Sequence, residues 1–312
     1  RTTEKETNSK DDDGKQHTTT TTISNINPST SSSTSSMPSS KTTPTVTARV
    51  TPPPQATYAQ NLTCCVCMDN LQVDCYTFTR MTCCGKAMHK HCDEDVMKSK
   101  MSDAQKSRCP ECRQKSPASD EELVKQVRVW VDKGKPWAQT HLADRYHFGK
   151  AVPQSYEEAI SYLNMAVKQG DPNAMFDLAL MYASGQGVAK SVQQAAELYA
   201  LAANQRHATA QCHLGCSYAK GEGVAQSDEK AFELFTLAAN QGNAHAQNNL
   251  GVLYYHGNGV AQSNDMSRKW WLKAALQENE KAIKYLKVID QEEGKTTPTL
   301  PCCAACGTPK TT

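Results

Sequence analysis

The chain has 312 residues, 14 cysteines and a formal net charge of +2. A charge so close to zero excludes a strong general attraction to nucleic acid or to a membrane surface. The sequence contains no run of about 18 apolar residues, so we expect no membrane-spanning helix. The length suffices for two domains with linkers. The cysteines are clustered at metal-ligand spacing, which favours a reducing compartment, so we expect a cytoplasmic or nuclear protein.

Residues 1–60 are dominated by Thr, Ser, Pro, Lys and Asp. Such a segment cannot bury enough apolar surface to offset the entropy of its chain, so we predict a disordered tail. A solvated tail and a phosphorylated docking segment are both compatible with this composition.

Residues 61–117 form a cysteine-rich module. Eight candidate zinc ligands lie within 49 residues: Cys64, Cys67, Cys83, Cys84, His89, Cys92, Cys109 and Cys112. Thiolate and imidazole are donors that zinc prefers, and two tetrahedral sites need eight ligands. We therefore predict two structural zinc ions. The alternative is a cluster of buried thiols or a disulfide knot; zinc is favoured because so small a segment needs a cross-link to fold. His91 is an alternative to His89, and Cys65 is an alternative to Cys64.

Residues 118–134 are predicted to form a connecting helix. The sequence Ser119-Asp-Glu-Glu122 has the pattern of a capping box. Apolar residues follow at helical spacing, and Gly134 ends the pattern. This helix links the cysteine-rich module to the segment that follows.

Residues 135–290 repeat with a period of 36 residues. The columns that recur are Ala138, Ala174, Ala210, Ala246 and Ala282; Leu142, Leu178, Leu214 and Leu250; Tyr146, Tyr182, Tyr218 and Tyr254; Gly149, Gly185, Gly221 and Gly257; Val152, Val188, Val224 and Val260; and Ser155, Ser191, Ser227 and Ser263. Ala, Leu and Tyr at four-residue steps form the apolar stripe of a first helix, and Gly supplies its left-handed cap. Val anchors the loop, and Ser is the N-cap of a second helix, with Glu158 completing a capping box in the first unit. We predict an all-α chain whose helix pairs stack into an α-solenoid of four units, closed by a capping helix that begins near Ala282.

Several weaker signals have two interpretations each. Cys212 and Cys216 share a helix face and form either a small-residue core position or a metal site. Trp270 and Trp271 fall in core columns and serve either packing or ligand stacking. In the polar tail of residues 291–312, Cys303 and Cys306 look like the opening half of a MYND-type zinc finger, or they belong to a free tail.

The 36-residue unit, with Leu-Gly-x-x-Tyr at 214–218 and 250–254, resembles the Sel-one-like repeat, a relative of the tetratricopeptide repeat. The Gly-x-Gly-Val loop of that family stands at 185–188, 221–224 and 257–260, whereas the first unit has Ala151 in place of the second Gly. The resemblance covers about half of the chain and implies a helical solenoid that binds proteins.

The cysteine-rich module resembles a RING finger. The resemblance implies one zinc on Cys64, Cys67, His89 and Cys92 and a second on Cys83, Cys84, Cys109 and Cys112. It also implies that Val66, Pro110 and Arg113 contact a ubiquitin-conjugating enzyme, although local packing of Val66 and Pro110 and a solvated charge at Arg113 are simpler interpretations. Two departures from the family are the adjacent pair Cys83-Cys84 and the lack of a Trp between Cys92 and Cys109.

These patterns lead to two functional hypotheses. In the first, the protein is a RING-type ubiquitin ligase without a catalytic nucleophile of its own, whose zinc module binds a ubiquitin-conjugating enzyme and whose solenoid recruits a protein client. In the second, it is a non-catalytic zinc-finger and repeat adaptor that assembles protein complexes. We expect neither nucleic acid nor membrane as a partner.

Overall fold

The computed structural model describes residues 78–292 and 294, with the side chains of residues 78–80 and 89–91 outside that description. The predictions for residues 1–60 and for Cys302, Cys303 and Cys306 lie outside the described residues.

The described part of the cysteine-rich module contains a small hairpin and two short helices. Strand β1 (Phe78–Arg80) pairs antiparallel with β2 (Ala87–His89), in a register that sets Thr79 opposite Met88. Helix α1 (Lys90–Lys98) follows β2 without a break, and α2 (Asp103–Lys106) is a single turn. The buried residues in the described part of this module are Thr82, Ala87, Met88, Cys92 and Cys109.

The connecting helix α3 (Asp120–Asp132) has Ser119 as its N-cap, and the Ser119 hydroxyl accepts the amide of Glu122 at 3.3 Å. The Glu122 carboxylate accepts the amide of Ala118 at 2.8 Å, one residue earlier than a capping box requires. Val124 and Val127 are the buried residues of α3, and they pack with Ala138 and Leu142 of the next helix.

The solenoid follows as four helix pairs and one closing helix. Its helices are α4 (Pro136–Phe148), α5 (Tyr156–Lys168), α6 (Pro172–Ser184), α7 (Val192–Asn204), α8 (Ala208–Lys220), α9 (Asp228–Asn240), α10 (Ala244–His256), α11 (Asn264–Ala275) and α12 (Glu280–Glu292). The all-α solenoid predicted from the 36-residue period is confirmed. The closing helix runs two residues beyond the predicted boundary at 290.

The alanine column lies at the centre of the stack. Each of the five alanines has 0% of its surface exposed: Ala138, Ala174, Ala210, Ala246 and Ala282. Neighbouring helices therefore approach closely at this column, and larger residues fill the space on either side.

The loop inside each unit is closed as the columns predict. The Gly column ends every first helix in the left-handed conformation, with φ between 66° and 76°. The Ser column caps every second helix through its side chain. The capping box predicted at Glu158 is only half formed, because the amide of Ser155 donates to the carbonyl of Tyr146 at 3.0 Å. The same bond from the Ser amide to the Tyr carbonyl recurs in the other three units, at 2.8–3.0 Å.

Candidate metal centre

Cys83 and Cys84 form the first cysteine pair within the described chain, and they lie in the tight loop between β1 and β2. The amide of Met81 donates to the carbonyl of Lys86 at 2.7 Å, and the amide of Gly85 donates to the carbonyl of Met81 at 2.8 Å. The turn needs φ = +72° at residue 85, a conformation that glycine adopts without strain. These constraints hold Cys83 and Cys84 at the tip of the hairpin.

The second cysteine pair lies in a turn after α2. The amide of Arg113 donates to the carbonyl of Cys109 at 3.0 Å, and the amide of Cys109 donates to the carbonyl of Gln114 at 2.8 Å. An isolated β-bridge between Arg108 and Lys115 closes the base of the turn. Cys109 is buried, whereas Cys112 lies at the surface.

The two turns bring four sulfur atoms together. The Sγ atoms of Cys83 and Cys112 are 3.4 Å apart, those of Cys84 and Cys109 are 3.6 Å apart, and all four lie within 4.8 Å of one another. Zinc–sulfur bonds of about 2.3 Å in a tetrahedron require sulfur separations of roughly 3.8 Å. The separations of 3.4 and 3.6 Å are within about 0.4 Å of that value and none exceeds 4.8 Å, so small shifts would fit the four thiols to a tetrahedral zinc ion. They are the four residues that the RING resemblance assigns to the second zinc.

The environment of Cys83 and Cys84 favours the protonated thiol in the absence of a cation. Burial raises the pKa of Cys83, and it raises the pKa of Cys84 to about 11. The backbone amide of Gln114 lowers the pKa of Cys112. A bound divalent cation reverses this balance, because thiolate is the form that coordinates metal.

The first predicted zinc site is only partly within the described chain. Cys64 and Cys67, with the alternative Cys65, lie outside the described residues. Cys92 is buried in α1, and β2 ends at His89. The side chains of His89 and His91 are outside the description, so the choice between them remains a prediction.

Of the three residues predicted to contact a conjugating enzyme, the structure describes two. Val66 lies outside the described residues. Pro110 is half-buried directly after Cys109, and Arg113 is exposed directly after Cys112. Arg113 has φ = +62°, and its carbonyl accepts the Arg108 guanidinium at 3.2 Å.

The weaker candidates are packing positions. Cys212 is buried in the core beside Phe235 and Leu250, and the partly buried Cys216 packs against the same cluster. Trp270 and Trp271 are 9% and 2% exposed, as expected for core columns. The indole N–H of Trp271 donates to the carbonyl of Asn248 at 3.1 Å.

Sequence reasoning missed the contact between the hairpin and α3. The indole N–H of Trp130 donates to the carbonyl of Thr82 at 2.6 Å, immediately before the first cysteine of the cluster. No local sequence pattern links residues 48 positions apart.

A column of glutamines was also missed: Gln169, Gln241 and Gln277 donate to Gln139, Gln211 and Gln247 of their own units at 2.7–2.8 Å. Its 36-residue spacing was a readable signal.

None of the helices in the described part of the chain combines the length and the apolar character needed to cross a bilayer.

Comparisons with known proteins match the repeat region. The model of the Sel1 repeat family matches residues 138–171, 172–207, 208–243 and 244–279, which do not include the cysteine-rich module. No curated protein matches this chain.

Two solved structures are similar to the chain. A Sel1 repeat protein from Oxalobacter formigenes is 34% identical, with a TM-score of 0.53 over 56% of this chain and 51% of that one. A protective antigen of uropathogenic Escherichia coli strains is 28% identical, with a TM-score of 0.53 over 58% of this chain and 39% of that one. The chain thus spans about half of the first relative and less of the second. Together with the family match, these structures identify residues 138–279 as a solenoid of four Sel1 repeats.

Proposed function

We propose that this protein is a RING-type ubiquitin ligase, in which the zinc module binds a ubiquitin-conjugating enzyme and the solenoid recruits a protein client. The observation that carries the proposal is the meeting of Cys83, Cys84, Cys109 and Cys112 within 4.8 Å. These residues are the second and fourth ligand pairs of a RING finger, and in the described structure they come from two separate turns. In the RING arrangement, the second and fourth ligand pairs share one zinc although the third pair lies between them in the sequence.

The solenoid supplies the client-binding half of the proposal. A stack of Sel1 repeats is suited to holding protein partners, because stacked helix pairs present an extended surface. Successive first helices differ at one repeated, half-buried position, which holds His141, Asp177, His213 and Asn249, so neighbouring units do not present identical surfaces.

One zinc ion would be held by Cys83, Cys84, Cys109 and Cys112. A second would be held by the predicted first site, Cys64, Cys67, His89 and Cys92. When bound, zinc supplies a structural cross-link between the hairpin tip and the turn after α2. The chain's own contribution is then to orient Arg113. Its amide and its carbonyl are both hydrogen-bonded within the turn, so the exposed guanidinium projects from a fixed point. Several directed donors on one planar group allow it to bridge carbonyls of two bound partners.

The test is discharge of ubiquitin from a panel of charged conjugating enzymes. We expect Arg113→Lys and Arg113→Gly to slow discharge about tenfold or more, because a charge-assisted hydrogen bond contributes about 1.5–3 kcal/mol. Glycine suits the positive φ of this position, so Arg113→Gly removes the side chain without backbone strain. Lys115→Ala, at a nearby exposed cation, is the matched control and should discharge normally. Zinc content should be unchanged in all three variants.

The adaptor hypothesis is supported by the lack of a Trp between Cys92 and Cys109. It predicts that the wild-type protein discharges no conjugating enzyme of the panel while still carrying zinc. Wild-type discharge at the same rate as Arg113→Gly would likewise favour the adaptor over the ligase.

A further inference from the structure

Thr82, the residue immediately before Cys83, attaches the loop between β1 and β2 to the connecting helix α3. The Trp130 indole N–H donates to the Thr82 carbonyl at 2.6 Å. That carbonyl belongs to the peptide unit leading into Cys83, so its position sets where the first sulfur of the cluster starts.

A second contact reaches the same residue from the same face of α3. The Thr82 hydroxyl donates to Gln126 Oε1 at 2.6 Å, and Thr82 is only 7% exposed. Gln126 and Trp130 are four residues apart and therefore lie one turn apart on one helix face. Together they hold both the backbone and the side chain of Thr82.

A third contact extends the attachment to the first repeat. A Cβ placed on Gly85 would lie 3.6 Å from the rings of both Trp130 and Trp137, so the loop already packs against them. The two indoles are 5.9 Å apart between centroids, and Trp137 belongs to α4, the first helix of the solenoid. The Lys133 ammonium lies 4.5 Å from the Trp130 centroid and packs on the same ring.

We infer that Trp130 is a positioning residue for the four-cysteine site and couples retention of its metal to the N-terminal end of the solenoid. This inference rests on the metal-binding part of the proposed function. Groups outside the ligand shell that fix the ligands strengthen metal binding. Because linkage is reciprocal, a bound metal that orders the loop also orders the helix that holds it.

The first measurement is the rate at which the full-length, zinc-loaded protein loses zinc to an excess of chelator. Trp130→Phe keeps an aromatic ring but removes the N–H donor. We expect zinc loss to accelerate about 2- to 13-fold, the range that corresponds to a hydrogen bond contributing about 0.5–1.5 kcal/mol. Trp270→Phe is the matched control, because the buried Trp270 indole N–H has no hydrogen-bond partner in the described part of the chain. It should lose zinc at the wild-type rate.

Two further measurements separate coupling from simple misfolding. Thr82→Val keeps the shape of the side chain and removes only the bond to Gln126, so it should accelerate zinc loss in the same direction. Amide hydrogen exchange across 120–132 should rise when the wild-type protein is stripped of zinc, while exchange across 244–256 stays constant. Equal zinc loss from Trp130→Phe and Trp270→Phe, or unchanged exchange in α3 on stripping, would overturn the inference.

The outcomes distinguish this inference from the ligase proposal. Zinc-bound protein that discharges no ubiquitin but shows the Trp130 effect would refute the ligase and support the coupling. Wild-type protein that binds no metal would overturn both.

Discussion

At the scale of single residues, a column of small residues on the first helix of each unit faces a column of large residues on the second helix. The small residue after the column leucine is Ala143, Ala179, Gly215 and Gly251, and the residue in the facing column is Leu163, Tyr199, Phe235 and Trp271. Glycine stands opposite Phe235 and Trp271, whereas alanine stands opposite Leu163 and Tyr199. A Cβ on Gly215 would lie 2.7 Å from the Phe235 ring, and a Cβ on Gly251 would lie 2.3 Å from the Trp271 nitrogen. These glycines therefore provide space for the ring, unlike the left-handed glycines that end the helices.

Gly251→Ala should destabilise the solenoid by about 1–3 kcal/mol, the usual range for overpacking a core. The added methyl displaces an indole that is itself hydrogen-bonded to Asn248. Chemical denaturation followed by far-UV circular dichroism measures the loss.

The control uses the chain's own first unit, where alanine faces leucine. In a Trp271→Leu background, Gly251→Ala recreates the pair Ala143 and Leu163, so its cost should fall by about 1 kcal/mol or more in a double-mutant cycle. Additive costs in the two backgrounds would show that the alanine acts through something other than this ring.

The candidate site was predictable to the extent that it depends on spacing. The short cysteine spacings indicate metal ligands, and the RING resemblance assigns Cys83, Cys84, Cys109 and Cys112 to one ion; the structure brings their sulfurs together. The support from Trp130 was not predictable, because it depends on how two elements dock and not on a local pattern. The left-handed φ of Arg113 was equally hidden, since arginine shows no preference for that conformation.

At the scale of elements, the repeat was predictable because each helix boundary has its own residue. Gly ends the first helix and Ser begins the second in all four units. The capping box at Glu158 failed for a reason outside the helix: the amide of Ser155 is already bonded to the preceding helix through Tyr146. A rule derived from isolated helices does not include that competing acceptor.

The Ser caps give a prediction at this scale. Ser191 accepts the amide of Gln194 at 3.3 Å. Ser191→Ala leaves that amide without its side-chain acceptor and should cost about 1 kcal/mol, whereas Ser191→Asp restores an acceptor and should recover most of the stability. Urea denaturation of the three proteins tests this. Equal stability of the Ala and Asp variants would contradict a capping role.

At the scale of the whole molecule, we expect the two modules to have separate sources of stability. Structural zinc in small domains contributes roughly 10–16 kcal/mol of apparent folding free energy at neutral pH. The solenoid has its own apolar core. We therefore expect two zinc ions per chain by elemental analysis, and chelation should unfold the cysteine-rich module while the far-UV helical signal of the solenoid persists.

Substitutions test the two zinc sites separately. Cys109→Ser should remove the second zinc, because the buried Cys109 sulfur contacts that of Cys84. His89→Ala should lower zinc content more than His91→Ala, because His89 has the two-residue spacing to Cys92. A larger loss from His91→Ala would reassign the first site, and metal content near zero in reduced wild-type protein would rule out both sites.

The glutamine pairs have a consequence for how such a chain changes over evolutionary time. In three of the four units the pair joins two helices of the same unit, so the side-chain oxygens of the buried Gln139, Gln211 and Gln247 are satisfied within their own unit. The amide groups of Gln211 and Gln247 donate to backbone carbonyls of the preceding unit, at the equivalent residues Ala203 and Ala239. A duplication or deletion of one whole 36-residue unit therefore carries both members of the pair with it. The number of repeats is then free to vary between descendants, and the length of the solenoid varies with it, while the hairpin stays attached to the first unit.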